Sequence, residues 1–274
     1  MTTNVQPTYL MCAPDWFGVE YVINPWMKGH IGDVDQPRAL EEWRGLLAIL
    51  EGPLGASIQT IGQQAGLPDM VFTANAGLVH RNVFVPSRFK HPERQGEEPL
   101  FEAWFRAAGW DVSPVDGYHE GAGDMLFFSD GVLFAASGFR TDPCVHSQIA
   151  KKLGVSIQTL ELADPRFYHL DTCFCPLPGG RLLWFPDAFS GPSVAKVERS
   201  VDTSKRHAVT FEEASRFACN AVATPGHVVL NDCAAETESW LGGHGFQLHR
   251  TPLDEFMKAG GAAKCLTLRL DSGP

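Results

Sequence analysis

A fivefold repeat constrains this chain more than any other feature. Five segments read as a strand, a tight turn and a returning strand: "FTANAGLVHRNVFVP", "GAGDMLFFSDGVLFAA", "HLDTCFCPLPGGRLLWFP", "FACNAVATPGHVVLN" and "AAKCLTLRL". Hairpin turns are signalled at Arg81-Asn82, Asp130-Gly131, Gly179-Gly180 and Pro225-Gly226. One polar or reactive residue stands near the start of each segment: Asn75, Asp124, Asp171, Asn220 and Cys265, at spacings of 49, 47, 49 and 45 residues. A unit of this length is a supersecondary motif that cannot bury its own apolar face, so copies must pack on one another. The last segment, with a strand over Leu266 to Leu270, has no returning strand of its own. The N-terminal "TYLMCAP" is expected to supply it. That pairing closes a ring, removes free sheet edges and gathers the five marked residues around one axis.

Helical patterns fill the gaps between hairpins. "RALEEWRGLLAILEG" places Leu40, Trp43, Leu47 and Leu50 on one stripe. "EPLFEAWFRAAGW" offers Leu100, Trp104 and Ala107-Ala108 and stops at Gly109, while "HSQIAKKLGV" and "LDEFMKAGG" are shorter and also end at glycine. The expected architecture is one α/β domain over residues 1–274, built from five strand–helix units.

Charge narrows the function. With 22 basic and 32 acidic residues the net charge is −10. That argues against a nucleic-acid partner, which needs a basic face, and is compatible with a cationic substrate. No apolar run reaches membrane-spanning length, and "MTTNVQPTYLMCAP" shows neither the basic nor the apolar region of a signal peptide. Seven scattered cysteines with no C-x-x-C pair do not form a disulfide framework, and a reducing cytoplasm is expected.

If the ring closes, Cys265 shares a central pocket with the other repeat-start residues. It is either a core thiol or a nucleophile held at the mouth of a site, and the small residues of "GGAA" before it let its backbone approach something closely. In "YHLDTCFC" a strand period of two aligns His169, Asp171, Cys173 and Cys175 on one face. All four are zinc-ligand types. They spread along a strand by about 3.3 Å per residue, however, so they cannot all surround one ion. Cys173 and Cys175 are therefore expected in the core. "HEGAGDML" adds Glu120 and Asp124, and "PDMVFTANAG" adds Asp69 and Asn75. Singly, Asp69 reads as a turn residue, Glu120 as a solvated charge and His169 as a satisfied core histidine. Together, several carboxylates, one histidine and one thiol suit a planar guanidinium. Carboxylates accept its N–H donors in pairs, the thiolate attacks its central carbon, and the histidine protonates the departing amine. Arg88 in "PSRF" and Arg140 in "SGFR" lie just beyond returning strands and are candidates to clamp a substrate carboxylate.

The stretches "MCAPDWFGVEYVINPWM", "PDMVFTANAGLV", "RQGEEP", "EGAGDMLF", "FYHLDTCFCPL", "FACNAV" and "AGGAAKCLTLRL" together resemble the guanidine-modifying superfamily over nearly the whole chain. That family's fold is a five-bladed α/β propeller, the pentein fold. Its members include arginine deiminases, dimethylarginine dimethylaminohydrolases, amidinotransferases and arginine dihydrolases, and the resemblance is closest to the dihydrolase domain found at the head of longer cyanobacterial proteins. It implies Cys265 as nucleophile and His169 as general acid and base. Glu120 and Asp171 would hold the guanidinium, with Asp69, Phe72 and Asp124 beside them. Arg88 and Arg140 would take the α-carboxylate, and Asn24 and Asn75 would line the pocket. Asn75 stands where deiminases and dimethylaminohydrolases carry aspartate, which leans away from both. No metal or organic cofactor is implied.

The leading expectation is hydrolysis of arginine to ornithine, carbon dioxide and ammonia. Two alternatives are a deiminase or dimethylaminohydrolase that stops at citrulline, and an amidinotransferase in which an amine replaces water. A non-catalytic binding protein of the same fold would lack the nucleophile or base, and both are present. A homo-oligomer is left open.

Overall fold

The computed structural model describes residues 6–271. Fifteen short strands form five three-stranded sheets among these residues. The first holds β1 (Thr8–Cys12) between β2 (Ser57–Ile61) and β15 (Leu268–Arg269). The second holds β3 (Gly77–His80), β4 (Val83–Pro86) and β5 (Asp111–Val112). β6 (Met125–Ser129), β7 (Val132–Ser137) and β8 (Ser156–Glu161) make the third. The fourth has β9 (Phe174–Leu177), β10 (Arg181–Trp184) and β11 (Arg206–Ala208). β12 (Val222–Thr224), β13 (His227–Leu230) and β14 (Gln247–Arg250) complete the set.

The four expected hairpins are present, with antiparallel registers such as Leu78↔Val85 and Leu126↔Phe134. Their turns need left-handed backbone. Gly131 supplies it at φ 73° without steric cost, whereas Arg81 adopts φ 54° in the first hairpin. The two ends of the chain meet as expected: β1 pairs antiparallel with β15 through Tyr9↔Arg269 and Leu10↔Leu268. The last strand is shorter than the Leu266–Leu270 run, because Cys265 and Leu266 belong to a turn.

The third strand of each sheet, parallel to the middle one, was not foreseen. These are polar edge strands such as "SIQTI" and "QLHR", with few buried residues. They are held by ladder hydrogen bonds rather than by an apolar face, so they lack the alternation that marks a strand.

Two helix stripes are rotated from expectation. In Gln36–Glu51, capped by the Asp35 side chain, the buried apolar positions are Ala39, Trp43, Leu46 and Leu50, with Leu40 and Leu47 at the margin. In Glu98–Ala107 the core face is Phe101 and Phe105 rather than Leu100, Trp104 and the alanines. Phe105 stacks on Phe84 of β4 with ring centroids 3.6 Å apart. Burying one such ring contributes ~2 kcal/mol, which decides the rotation.

A cavity of about 100 Å³ is lined by residues from the first strands of the hairpins, β3, β6, β9 and β12, and from β1 and β15. No helix among the described residues is long and apolar enough to cross a membrane.

Candidate active site

The chemistry-bearing residues sit just before the strands, in tight turns. The period-two reading of "YHLDTCFC" is corrected here. Leu170–Thr172 is a single 3-10 turn with His169 at its head, and β9 begins only at Phe174. The turn is closed by Thr172 Oγ1 donating to the His169 carbonyl at 2.6 Å. It aims His169 and Asp171 independently of any strand face, while Cys173 and Cys175 are buried in the core.

Cys265 lies in a helical turn in which the Leu266 amide donates to the Ala262 carbonyl at 3.1 Å. Gly260 precedes it at φ 88°, and a Cβ on Gly261 would come within 2.5 Å of the Phe72 ring. The small residues thus serve close packing against Phe72 and Asn24. Phe72 itself is buried and makes edge contacts with Phe17 and Phe256.

Asn220 organises the surroundings of Cys265. Its Oδ1 accepts from the amides of Ala262 at 3.0 Å and Cys265 at 3.1 Å. Its Nδ2 donates to Cys265 Sγ and to the Asp171 carbonyl, both at 3.0 Å. Cys265 Sγ also donates to Asp171 Oδ2 at 3.4 Å. Burial pushes the thiol well up, and the Asp171 charge adds to this, while the Asn220 amide works the other way. Burial raises the Asp171 carboxyl to about 7, against the positive charge of Lys264.

A second cluster is centred on Glu120. His169 Nε2 lies 2.7 Å from Glu120 Oε2, and Arg140 Nη1 donates to both Glu120 oxygens at 3.0 and 3.1 Å. Burial opposes charge on Glu120, but Arg140 and the hydrogen bond from His169 outweigh it and hold the carboxyl well below the usual range. Asp69 accepts from the Tyr21 hydroxyl at 3.0 Å, and burial raises its carboxyl despite Arg94 nearby.

Arg94, which sequence reading passed over, is a central cation of this region. It pairs with Glu97 at 2.8 Å, donates to the Asp69 carbonyl at 3.1 Å, and donates to Asn75 Oδ1 at 2.9 Å. A guanidinium only donates, so this contact fixes which end of the Asn75 amide is oxygen and sends its NH2 group toward the Glu120 carbonyl, 3.5 Å away. The signal was present as Arg94 and Glu97 within "RQGEEP", but nothing local says that such a pair is buried.

Four expected residues are placed differently. Arg140, expected on a substrate α-carboxylate, is buried and committed to Glu120 and the Ile23 carbonyl. Arg88 is not brought into the cluster: its side chain is 42% exposed and pairs with Glu98 at 2.9 Å. Asp124 has both oxygens committed, to Thr141 Oγ1 at 2.6 Å and to the Leu170 amide at 3.1 Å, so it braces the His169 turn. Asn24 caps the amides of Trp26 and Met27 and donates to the Ala259 carbonyl at 3.0 Å. With Tyr21 on Asp69 and the Ile23 carbonyl on Arg140, it ties the 21–27 segment across the cluster.

What remains open is informative. Asp69 Oδ1, Asp171 Oδ1 and His169 Nδ1 are buried without hydrogen-bond partners. Two carboxylate acceptors and a ring nitrogen are therefore available to a buried polar ligand, and groups of this kind are rarely left unpaired.

No family model matches the chain. It is 38% identical over 262 residues to the N(G),N(G)-dimethylarginine dimethylaminohydrolase of Mycobacterium tuberculosis, over 96% of this chain and 85% of that protein. The N-terminal domain of ArgZ, an arginine dihydrolase from cyanobacteria solved with its substrate, has a TM-score of 0.95 and 46% identity, covering 97% of this chain and 98% of that one. The chain belongs to the guanidine-modifying, pentein-type family. Another member, the bifunctional arginine dihydrolase/ornithine cyclodeaminase AgrE of Nostoc sp., is 48% identical over 273 residues. The chain spans 38% of AgrE's length.

Proposed function

We propose that this pentein-type chain is an arginine dihydrolase, with its five sheets as the blades of one closed ring and the whole of residues 1–274 serving one site. The contact of Cys265 Sγ with Asp171, together with the buried unpartnered oxygens of Asp69 and Asp171 and the open ring nitrogen of His169, carries the reading. Buried carboxylates of this kind need a cation with N–H donors, and the guanidinium is one. Its charge beside Asp171 and Cys265 favours the thiolate that burial otherwise suppresses.

The thiolate attacks the guanidinium carbon, forming a C–S bond. His169 supplies the proton with which ammonia leaves. Water then adds to the carbon, the C–S bond breaks, and citrulline is formed. In the second cycle the thiolate attacks the ureido carbon and ammonia departs again. Hydrolysis of the resulting S-carbamoyl adduct gives a carbamate that releases carbon dioxide and leaves ornithine. Glu120, ionised and paired with Arg140, holds His169 in place.

Asn75 favours this reading over a reaction that stops at citrulline. Its amide NH2 is turned away from Arg94 and toward the Glu120 carbonyl, and its second N–H would serve the neutral ureido oxygen. An aspartate there would offer none. All seven cysteines are free, which fits a reducing cytoplasm.

Mass spectrometry of products from purified protein given arginine, citrulline or methylated arginines tests the assignment. Ornithine from arginine and from citrulline is expected. Accumulation of citrulline with no ornithine would replace the dihydrolase by a deiminase.

A further inference from the structure

The cavity between the sheets takes no part in the chemistry above. Its walls are apolar, with Leu78, Met125, Leu126, Phe174 and Val222 among them, and its polar residues are Tyr9, Lys264, Arg269 and Asp271. Phe127, Pro176 and Ala223 at its margin are only half-buried, which gives the cavity a way out to solvent.

Two of its polar groups are short of partners. The Tyr9 side chain is 3% exposed, and its hydroxyl makes no hydrogen bond. Lys264 Nζ reaches only the Thr267 carbonyl, at 3.5 Å, although an ammonium has three donors. Among the described residues no carboxylate lies within ion-pair distance of it. Asp271, the carboxylate of the cavity, is already engaged by Arg269 at 2.8 Å and by the Thr8 amide at 2.9 Å. One amine and one hydroxyl thus face the chamber with donors to spare, beside an Arg269–Asp271 pair that is already closed on itself. Burial keeps the Tyr9 hydroxyl protonated, raising it to about 12, so it donates. Burial also weakens the charge on Lys264 against the opposing pull of Asp171, and an incoming anion would add to that pull.

We propose that this cavity is a binding site for a small amphiphilic monocarboxylate, with its head group on Lys264 Nζ and Tyr9 Oη and its short aliphatic tail against the apolar strand residues. The charge complement is a single anion, because Arg269 is neutralised by Asp271. The volume limits the tail to a few carbons, since a dry cavity of ~150 Å³ holds a benzene. Lys264 is the residue immediately before Cys265, so the occupant would sit behind the nucleophile rather than in front of it.

The test is calorimetric titration of the full chain carrying Cys265→Ser with isovalerate, and with isovaleramide as its neutral isostere. Isovalerate is expected to bind at least tenfold more tightly than the amide. Saturating arginine should leave that affinity unchanged, which separates this cavity from the active site. Lys264→Met is expected to lose tenfold or more, and Tyr9→Phe, which removes one oxygen and keeps the ring, about threefold. Displacement of isovalerate by arginine, equal affinity for acid and amide, unaltered binding in Lys264→Met, or no binding at millimolar isovalerate would each overturn the proposal.

Discussion

Asn220 grips Cys265 at both ends, donating from Nδ2 to the sulfur at 3.0 Å and accepting at Oδ1 from the backbone amide at 3.1 Å. It was visible in the sequence only as one of five repeat-start residues. The structure makes it the group that both aims the thiol and offsets part of the burial that opposes its ionisation.

Asn220→Asp should therefore lose ~100-fold or more in kcat, because a carboxylate replaces the donor facing the sulfur. The alkaline shift of thiol alkylation at Cys265 reads the same change directly. An unshifted alkylation profile would mean that Asn220 serves packing alone.

Cys265→Ser should keep the fold and lose turnover by at least ~1000-fold, since a serine hydroxyl without a strong base is a far weaker nucleophile than a thiolate. Circular dichroism and steady-state rates check the two halves separately. Retained activity on arginine would remove Cys265 from the mechanism.

His169→Asn should bind arginine and fail to turn it over. Without an acid, ammonia would have to depart as an amide anion. Isothermal titration should detect binding where product analysis finds none. Near-native rates would assign the proton to another group.

Asp171→Asn should trade activity for stability, with a definite pH signature. Burial raises the folded-state carboxyl to about 7, above its ordinary value. A raised carboxyl contributes stability that is present below its unfolded pKa of ~3.9 and lost as pH rises through the folded one. The ligand-free variant should thus melt several degrees above the native chain at pH 8, and the gap should close by about pH 4. A variant less stable at pH 8 than at pH 4, relative to native, would contradict the assigned burial cost.

Asn75→Asp should shift the product from ornithine toward citrulline. The new carboxylate would pair with Arg94, now 2.9 Å from Oδ1, and withdraw the amide donor offered to the ureido group. The ornithine-to-citrulline ratio after a single pass is the measurement. An unchanged ratio would show that position 75 does not govern the second cycle.

The sequence by itself determined the repeat, the hairpins with their turns, and the pairing of "TYLMCAP" with the final strand, because each rests on local apolar alternation and turn chemistry. It also singled out Cys265, His169, Glu120, Asp69 and Asp171 as chemistry in search of a pocket. Tertiary structure alone decided how they meet. His169 and Asp171 are aimed by a 3-10 turn and not by a strand, and Asp124 is consumed in bracing that turn. Arg94 is buried at the cluster while Arg88 pairs with Glu98 and remains part-exposed. Burial of a charge depends on what distant segments bring to it, and an arginine in a short surface-like motif looks the same in sequence whether or not groups from elsewhere, here the Asp69 carbonyl and the Asn75 amide, will cover it. The polar third strands were illegible for the same reason: their neighbours hold them, and their own residues do not.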